Sequence, residues 1–427
     1  MAQKFRPNNK NVSVFTSSNP SQITKSFFRR NGKHLDKESA VELFKQDVLL
    51  AERLDYNYSI VSVFGSARVS NNFYKNFAQA AYDLAYLLGK EGFVISTGGG
   101  PGIMEFASRG AVDANSIALG FQPKFIEKVE GTVSFDGKIH YLVYSLHSRK
   151  ILMAKNASSF VFFPGGAGTI DELFHYLNFA QNGWIKDVKF ILFGSEFWNK
   201  LVNWFDKNLV QRGLVEKNIL KNIILTDSIQ EAKNIIVQNR TRASYYCPKP
   251  KELSENFEED IKQLYSYIEK LSHPSAAFFG TIKTKNVEDL AKYLSKQLHK
   301  SNYTIYYFSL NGLQEFFKSF ASHNSKNISF EIPLKLLETK KLILGSTDKL
   351  FFLNSDLECV DALTEYVVRI QMGDMEKVEI NLLEPNFWRD YLKWFWNYPI
   401  NYGFAEEELI KLFNIINSKK DIKALGI

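Results

Sequence analysis

Two glycine-rich segments each follow a short apolar run, and both have the composition of a phosphate-binding loop. The first is GGGPGIMEFASRGA (98–111), which comes after the apolar run FVIST (93–97). The second is PGGAGT (164–169), which comes after the apolar run SFVFF (159–163). Glycine lets backbone N–H groups approach an anion closely, and a helix that begins behind such a turn presents its positive end to the anion. The expected chemistry is therefore binding of a phosphorylated ligand.

The first loop differs from the dinucleotide-binding fingerprint G-x-G-x-x-G, because its third glycine stands in the wrong place. Its candidate ligand-binding residues are Gly98, Gly99, Gly100 and Gly102. A tight strand-to-helix turn that binds nothing, with Pro101 at the start of the helix, is the alternative for this loop taken alone.

The second loop contributes Gly165, Gly166, Gly168 and Thr169, and a carboxylate, Glu172, follows in the helix expected to begin near Thr169. A capping box is the alternative for Thr169 and Glu172, because T-x-x-E lets each side chain satisfy the other residue's backbone donor.

Two adjacent cations, Arg149 and Lys150, lie between the loops, after the apparent strand IHYLVY (139–144). They would bind a phosphate or hold a nucleotide in place if they face the same crevice. A solvated start of a helix is the alternative.

Strand and helix patterns alternate around these loops. The helix pattern at 73–92 separates the first two strands, and helices fit between most of the others. This alternation is typical of a Rossmann-like α/β fold, in which a parallel sheet carries helices on both faces. The expected strands are 59–65, 93–97, 116–121, 139–144, 159–163, 188–193 and 222–226.

The pattern repeats in the C-terminal part of the chain. With a constant offset of 190, residues 150–205 and 340–395 agree at about 14 of 56 positions, which predicts an internal duplication. Four segments are expected: a polar lead with one amphipathic helix at 1–58, a nucleotide-binding domain at 59–237, a helical connector at 238–274 and a degenerate second α/β domain at 275–427.

Composition and apolar runs argue against a cysteine-rich metal or redox site, a membrane-spanning protein and a secreted protein. The chain has 427 residues, a net charge of +7 without a block of like charges, and two cysteines without metal or redox spacing. No apolar run approaches the roughly 18 residues that span a bilayer, and the N-terminus has no apolar signal core. We expect a soluble cytoplasmic protein without metal, cofactor, nucleic-acid partner or membrane partner.

The motifs STGGGPGIME (96–105), HSRK (147–150) and PGGAGTIDE (164–172) resemble those of the Lonely Guy family, long mislabelled as lysine decarboxylases. The segment VFGSAR (63–68) is similar to that of longer bacterial members. The resemblance covers roughly 59–237. It implies a phosphoribohydrolase that splits a nucleoside 5′-monophosphate, such as a cytokinin riboside monophosphate or AMP, into free base and ribose 5-phosphate.

The resemblance also implies roles for particular residues. Arg149 and Glu172 fall on the catalytic arginine and glutamate, and the glycines of both loops with Thr169 fall on the nucleotide and phosphate loops. The other positions expected to bind substrate are Gly65, Ser66, Met104 and Lys150. A decarboxylase would instead need pyridoxal phosphate on a Schiff-base lysine, and nothing beyond Lys150 indicates such a site.

The implied chemistry suits a carboxylate at position 172. Cleavage of an N-glycosidic bond develops positive charge on the ribose. A carboxylate about 4 Å away would stabilise that charge by about 4 kcal/mol at an effective dielectric constant of about 20, which is about a thousandfold in rate. The helix dipole should hold Glu172 ionised, which favours charge stabilisation and orientation of water over strong-base chemistry. Arg149 would hold the nucleotide or help the leaving base depart.

The sequence departs from the family pattern in two places. His175 stands where the family commonly has a second glutamate, and ALGFQPKFIEK (118–128) lacks the glutamate of the corresponding family segment. The alternative function is therefore a non-catalytic carrier or regulatory protein of the same fold that binds a nucleotide or cofactor, for example a molybdenum-cofactor carrier.

The second copy lacks the residues that would make a site. At the offset of 190, the loop 164–169 becomes Asn354-Ser355-Asp356-Leu357-Glu358-Cys359, while Glu172 becomes Ala362 and Arg149 becomes Thr339. Asp356 and Glu358 would repel a phosphate. We expect the second copy to take the place of a partner subunit, so that each chain is a pseudo-dimer with one site. Further association of whole chains is left open.

Overall fold

The computed structural model describes residues 58–68, 72–123, 133–143, 146–240, 274–280, 282, 284–308, 328–329, 347–353, 356–372 and 377–426. We call the described residues 58–240 the first unit and 274–426 the second unit. Three features of the sequence analysis lie outside the described residues. They are the amphipathic helix expected within 1–58, the connecting helix after position 240, and residues 124–128 of the segment 118–128.

The first unit is built on a seven-stranded sheet in the order β4-β3-β2-β1-β5-β6-β7, and every neighbouring pair is parallel. The sequence prediction of a parallel α/β sheet is confirmed, and the strand ends differ from the expected ones by no more than two residues. The strands are β1 (Ile60–Phe64), β2 (Val94–Thr97), β3 (Ala118–Pro123), β4 (Lys138–Val143), β5 (Ala157–Phe162), β6 (Lys189–Phe193) and β7 (Ile223–Thr226).

Helices cover both faces of this sheet. The five inner strands, β3, β2, β1, β5 and β6, are therefore buried on both sides, which explains why they are mostly runs of apolar residues without alternation, whereas the edge strands β4 and β7 are half-buried. The helices are α1 (Asn72–Lys90), α2 (Ile103–Asp113), α3 (Leu146–Ala154), α4 (Ala167–Gln181), α5 (Ser195–Phe205), α6 (Lys217–Asn222) and α7 (Ile229–Gln238).

The order of the strands reverses at β1. The chain runs outward from β1 through β2 and β3 to β4, and then returns to place β5 on the other side of β1. Ligands of such sheets bind outside the carboxyl ends of the strands at the point of reversal. Both glycine loops lie there, because one follows β2 and the other follows β5.

The second unit contains a six-stranded parallel sheet in the order β10-β9-β8-β11-β12-β13, which follows the same outward and returning path. Its strands are β8 (Ser275–Phe279), β9 (Thr304–Phe308), β10 (Ile328–Ser329), β11 (Lys349–Phe352), β12 (Glu379–Leu383) and β13 (Phe413–Ile416). Its described helices are α8 (Lys285–Lys300), α9 (Leu357–Gln371), α10 (Pro385–Phe395) and α11 (Lys419–Ala424).

The two units meet at a seam in which α4 packs against α9 and α5 packs against α10. The Trp204 indole N–H donates to the carbonyl oxygen of Phe387 at 2.9 Å. The Trp394 indole N–H donates to the carbonyl oxygen of Phe197 at 3.0 Å. One cluster of buried apolar side chains extends through the seam, so the units share a continuous core.

The burial of α4 follows from this seam. One side of the helix contacts its own sheet and the other contacts α9, so most of its residues are buried. Its polar residues, Asp171, Glu172, His175 and Asn178, are buried as well and must find partners inside the protein. Within the described residues, no helix combines the length and the apolar character needed to cross a bilayer.

Candidate functional site

Ser66 lies between the two glycine loops, directly after β1. Its backbone N–H donates to the carbonyl oxygen of Pro164 at 3.2 Å, and its carbonyl oxygen accepts from the N–H of Ile103 at 3.1 Å. Gly65 allows this close approach, because a Cβ there would lie 2.7 Å from the Ile103 side chain. The predicted residues Gly65 and Ser66 therefore hold the start of the second loop next to the start of α2, where the first loop ends.

The first loop ends in α2, whose N-cap is Gly102 with φ of 70° and no side-chain cap. The helix begins at Ile103, two residues later than the start expected at Pro101. Gly99 also has a positive φ of 83°, a conformation that glycine adopts without strain. The loop is buried through Gly98, Gly99 and Gly100.

The second loop ends in α4, which begins at Ala167 with Gly166 as its N-cap. The capping-box alternative is wrong, because Thr169 lies inside the helix and the N-cap is a glycine without a side chain. The Thr169 hydroxyl instead faces the loop, 2.2 Å from where a Cβ on Gly165 would lie. Gly168 has open space around its Cβ position, with nothing within 4 Å. The start of α4 is thus free of a side-chain cap, as an anion site requires.

Arg149 and Glu172 lie together at this edge of the sheet. A guanidinium nitrogen of Arg149, Nη2, is 3.4 Å from Glu172 Oε1, with 7% and 10% of the two side chains exposed. The same nitrogen is 3.7 Å from the sulfur of Met104. Gly98 packs flat against the guanidinium, since a Cβ there would lie 1.7 Å from Nη2. Both glycine loops and both predicted catalytic side chains therefore converge.

The Nε of Arg149 is buried and has no hydrogen-bond partner among the described residues. A buried guanidinium with an unused N–H is costly, and a bound acceptor would remove that cost. This nitrogen is an independent indication that the crevice receives a polar ligand.

Lys150 points to a different neighbour from the one expected. Its Nζ forms an ion pair with Asp171 Oδ2 at 2.6 Å, and the two side chains are 3% and 2% exposed. The Tyr176 hydroxyl donates to the Lys150 carbonyl oxygen at 2.9 Å. The ammonium is thus committed to Asp171 behind the site, which does not fit the Schiff-base lysine of a decarboxylase.

Burial raises the pKa of Asp171 to about 6, although the Lys150 charge opposes that shift. Residues 149 and 150 are adjacent in the sequence of α3, and residues 171 and 172 are adjacent in the sequence of α4. The Lys150–Asp171 ion pair therefore fixes α3 relative to α4 next to the Arg149–Glu172 contact.

His175 contacts the second unit. Its Nδ1 lies 3.3 Å from Asp361 Oδ1, and the Asn178 amide donates to Asp361 Oδ2 at 3.1 Å. Burial lowers the pKa of His175 to about 4, so its ring is neutral at pH 7. The residue that replaces the family's second glutamate therefore belongs to the seam, and the sequence contains no signal that singles out Asp361 as its partner.

Lys138 is a further residue that the sequence patterns did not indicate. Its Nζ donates to the carbonyl oxygens of Gly99 at 3.0 Å and Val133 at 2.7 Å. Burial lowers its pKa to about 8. Gln122 and His140 approach Gly99 from β3 and β4. Side chains from the edge strands therefore support the first glycine loop.

Comparison with known proteins identifies relatives of the first unit. The family model described as "Possible lysine decarboxylase" matches residues 104–236. A protein of Oryza sativa subsp. japonica, "Probable cytokinin riboside 5'-monophosphate phosphoribohydrolase LOG4", is 32% identical over 174 residues, which are 40% of this chain and 73% of that protein. Its relative LOG6 of Arabidopsis thaliana, with the same description, is 31% identical over 147 residues, 34% of this chain and 72% of that protein.

Among solved structures, the molybdenum cofactor binding protein of Rippkaea orientalis matches 44% of this chain and 100% of its own, with 21% identity and a TM-score of 0.34. The sequence relatives, each covered over more than two thirds of its length, carry the assignment. The chain belongs to the Lonely Guy (LOG) family.

Proposed function

We propose that the first unit hydrolyses the N-glycosidic bond of a purine nucleoside 5′-monophosphate, with AMP as the first substrate to test. The products are the free base and ribose 5-phosphate. One observation carries the proposal: Arg149 and Glu172 meet 3.4 Å apart at a crevice edge where two helices begin at glycine N-caps. The names of the LOG relatives, which are phosphoribohydrolases, support the same reaction class.

The 5′-phosphate is assigned to the second loop. Gly165, Gly166, Gly168 and Thr169 surround the uncapped start of α4, where backbone N–H groups and the helix dipole favour an anion. The first loop, with Gly102 as the N-cap of α2, forms the facing wall. Met104 lies beside Arg149 and adds an apolar surface to that wall.

In the reaction, the bond between C1′ of the ribose and the base nitrogen breaks, and the oxygen of water bonds to C1′. The base leaves with the bonding electron pair and takes up a proton, while water loses one, so atoms and charge balance. Glu172 stabilises the positive charge on the ribose ring as that bond breaks, and it orients the water. Because Glu172 is largely buried, this stabilisation is stronger than it would be in water.

Arg149 holds the nucleotide or assists departure of the base. The Nε–H of this buried arginine has no acceptor among the described residues. We expect it to donate a hydrogen bond to the substrate. Lys150 acts indirectly in this proposal, because its ion pair with Asp171 holds the two helices that carry Arg149 and Glu172.

The test is to incubate the purified full chain with AMP, GMP, CMP, UMP and a cytokinin riboside monophosphate, and to separate the products by chromatography. Arg149→Ala and Glu172→Gln should each lower kcat by more than about a hundredfold. The exposed neighbours Arg389 and Asp390 on α10 supply matched controls. Arg389→Ala and Asp390→Asn should keep the activity.

Free base together with ribose 5-phosphate from AMP would support the proposal. Intact nucleotides throughout, with binding still measurable, would replace it by the non-catalytic carrier alternative. Release of CO₂ from lysine would contradict both.

We also infer that residues 275–427 are a diverged copy of 59–237 that stands in for a partner subunit. The two sheets share their strand order, with β4 as an additional edge strand in the first. The two tryptophan hydrogen bonds across the seam are reciprocal, because positions 204 and 394 differ by 190, as do 197 and 387. Two five-residue π-helical segments, Asp206–Val210 and Trp396–Ile400, also correspond at that offset.

The start of α9 supports a site in the first unit alone. Asp356 is the N-cap there, and its carboxylate accepts from the N–H of Cys359 at 3.1 Å. At the corresponding place α4 has Gly166 and no side-chain cap. A carboxylate of the protein thus takes the position that a phosphate would need. Three of the positions that correspond to the first unit's site at the offset of 190 lie outside the described residues: 339, 354 and 355.

Calorimetric titration with AMP of the full chain carrying Glu172→Gln, in which turnover is slowed, tests this inference. One site per chain is expected, and Gly168→Asp, at a position where a Cβ meets no atom within 4 Å, should abolish it, whereas Asp356→Gly should leave the stoichiometry unchanged. Two equal sites per chain would contradict the degenerate second copy. Light scattering on the same sample will show whether whole chains associate further.

A further inference from the structure

Arg68 follows β1 at the point where the order of the strands reverses. Its backbone N–H donates to the Ser66 hydroxyl oxygen at 3.0 Å, and that hydroxyl lies 3.3 Å from the Arg68 carbonyl oxygen. Ser66 in turn bonds to Pro164, which precedes the N-cap of α4, and to Ile103, the first residue of α2. Arg68 is therefore tied, two residues away, to the residue that joins both loops.

A segment of the second unit reaches the same place. Phe404 packs its backbone against Gly166, because a Cβ on that glycine would lie 2.1 Å from the Phe404 carbonyl oxygen. The N–H groups of Phe404 and Ala405 both donate to the carbonyl oxygen of Pro399, at 2.8 and 2.9 Å. The second unit thus holds a fixed backbone segment against the N-cap of α4, and Glu406 is the next residue.

Arg68 and Glu406 form an ion pair here. Arg68 Nη2 lies 3.1 Å from Glu406 Oε1, with 43% and 50% of the side chains exposed. An exposed pair of this kind contributes little to stability and exchanges readily. A guanidinium matches the geometry of a phosphate, which carries more charge than a carboxylate. A phosphorylated ligand entering beside α4 would therefore compete with Glu406 for Arg68.

We propose that Arg68 binds the 5′-phosphate of the substrate and that Glu406, supplied by the second unit, is its resting partner. This inference rests on the proposed function, since it takes the same nucleotide site. It gives the second unit an influence on that site: Glu406 lowers the affinity for phosphorylated ligands by holding Arg68 in the free protein.

The proposal predicts opposite effects for the two partners. Arg68→Ala should weaken binding of AMP about tenfold, because a charge-assisted contact to the phosphate is lost. Glu406→Gln should strengthen binding of AMP about threefold, because a competing carboxylate is removed. The double variant should bind as Arg68→Ala does. Adenosine, which has no phosphate, should respond to neither change.

A second ion pair across the seam supplies the control. Arg212 Nη2 lies 2.6 Å from Glu384 Oε1, so it joins the two units as Arg68 and Glu406 do. Neither residue contacts a glycine loop in any described interaction. Arg212→Ala should leave the affinity for AMP unchanged, which separates an effect on the phosphate from a general loosening of the seam.

The experiment is isothermal titration of the full chain with ribose 5-phosphate, which has no N-glycosidic bond to cleave, and titration with AMP and adenosine in the Glu172→Gln background, where turnover is slowed. Weaker binding in Glu406→Gln would overturn the proposal, because the pair would then be a brace that the site needs. Unchanged binding in Arg68→Ala, with binding lost in Arg149→Ala, would overturn it while leaving the proposed function intact. Failure of the wild-type chain to bind AMP or ribose 5-phosphate would remove both.

Discussion

His175 and Asp361 form a fully buried contact between the two units, with 3.3 Å between Nδ1 and Oδ1. Three residues before His175, on the same helix, lies the proposed catalytic Glu172. The side chain that departs from the family pattern is thus explained by its partner in the second unit. A glutamate at position 175 would place a second carboxylate against Asp361, and two like charges in a buried seam repel strongly.

Asp361→Ala should lower the free energy of unfolding by about 2–4 kcal/mol. His175 and Asn178 each lose the carboxylate that they contact, and a buried donor without an acceptor is costly. Urea unfolding measures the change. Asp390→Ala, at an exposed position on α10, is the matched control and should change the free energy by less than about 0.5 kcal/mol. Equal effects of the two variants would contradict this assignment.

The stability of the fold should depend on pH through His175. Its folded-state pKa of about 4 lies below the ordinary 6.5, so the unfolded chain binds the proton more tightly. The contribution is complete above pH 6.5 and is lost as the pH falls toward 4, by about 2 kcal/mol between pH 7 and pH 5. Lys150 disfavours the added charge, whereas Asp361 and Glu365 favour it less strongly than burial opposes it.

His175→Gln isolates this effect, because the raised pKa of Asp171 acts in the opposite direction. The folded state binds a proton at Asp171 more tightly, so that group adds stability as the pH falls below about 6. Urea unfolding at both pH values should show a smaller loss in His175→Gln than in the wild type, by about 2 kcal/mol. The same loss in both proteins would show that the imidazole does not titrate in this way.

Gly98→Ala should inactivate the enzyme without unfolding it. The new methyl group would lie 1.7 Å from Arg149 Nη2, so the guanidinium must move away from Glu172. A displacement of about 1 Å at a reacting group costs about a hundredfold in kcat/KM. Thermal unfolding compared with that of Gly168→Ala, whose methyl group meets no atom within 4 Å, controls for stability. Wild-type activity in Gly98→Ala would exclude the observed position of Arg149 from the mechanism.

Lys138 should give the activity a descending limb near pH 8. Its pKa lies there because burial disfavours the ammonium, with Arg109 acting in the same direction and Glu105 against it. As the pH rises through 8, the amine loses a proton and holds the Gly99 carbonyl oxygen less firmly. We expect kcat/KM to fall severalfold. Lys138→Arg stays charged and should lack this limb; an identical limb in both proteins would assign it to another group.

The first sheet and the positions of both glycine loops were predictable, because period, apolar runs and turn residues are local properties of the chain. The meeting of Arg149 and Glu172 was also predictable, because each follows an expected strand and the carboxyl ends of parallel strands lie at one edge of the sheet. The partner of Lys150 did not, since residues 149 and 150 are equivalent cations in sequence and only the packing of α3 on α4 directs one to Glu172 and the other to Asp171.

Contacts between distant parts of the chain were the least predictable. Asp361 reaches His175 across 186 positions, and Glu406 reaches Arg68 across 338. No local pattern marks Asp361 or Glu406, because the sequence around each is that of an ordinary helix or turn. Lys138 likewise lies at the start of a strand, where a lysine normally faces solvent, and only the fold places its ammonium under the Gly99 carbonyl oxygen.

The tryptophan hydrogen bonds of the seam join residues of one chain. Two separate subunits held by the same contacts would come apart at high dilution, and their seam would form only as fast as they meet. Here the connecting polypeptide keeps the local concentration of one unit around the other constant. Occupancy of the seam, and any influence of Glu406 on the nucleotide site, therefore does not change with the amount of protein present.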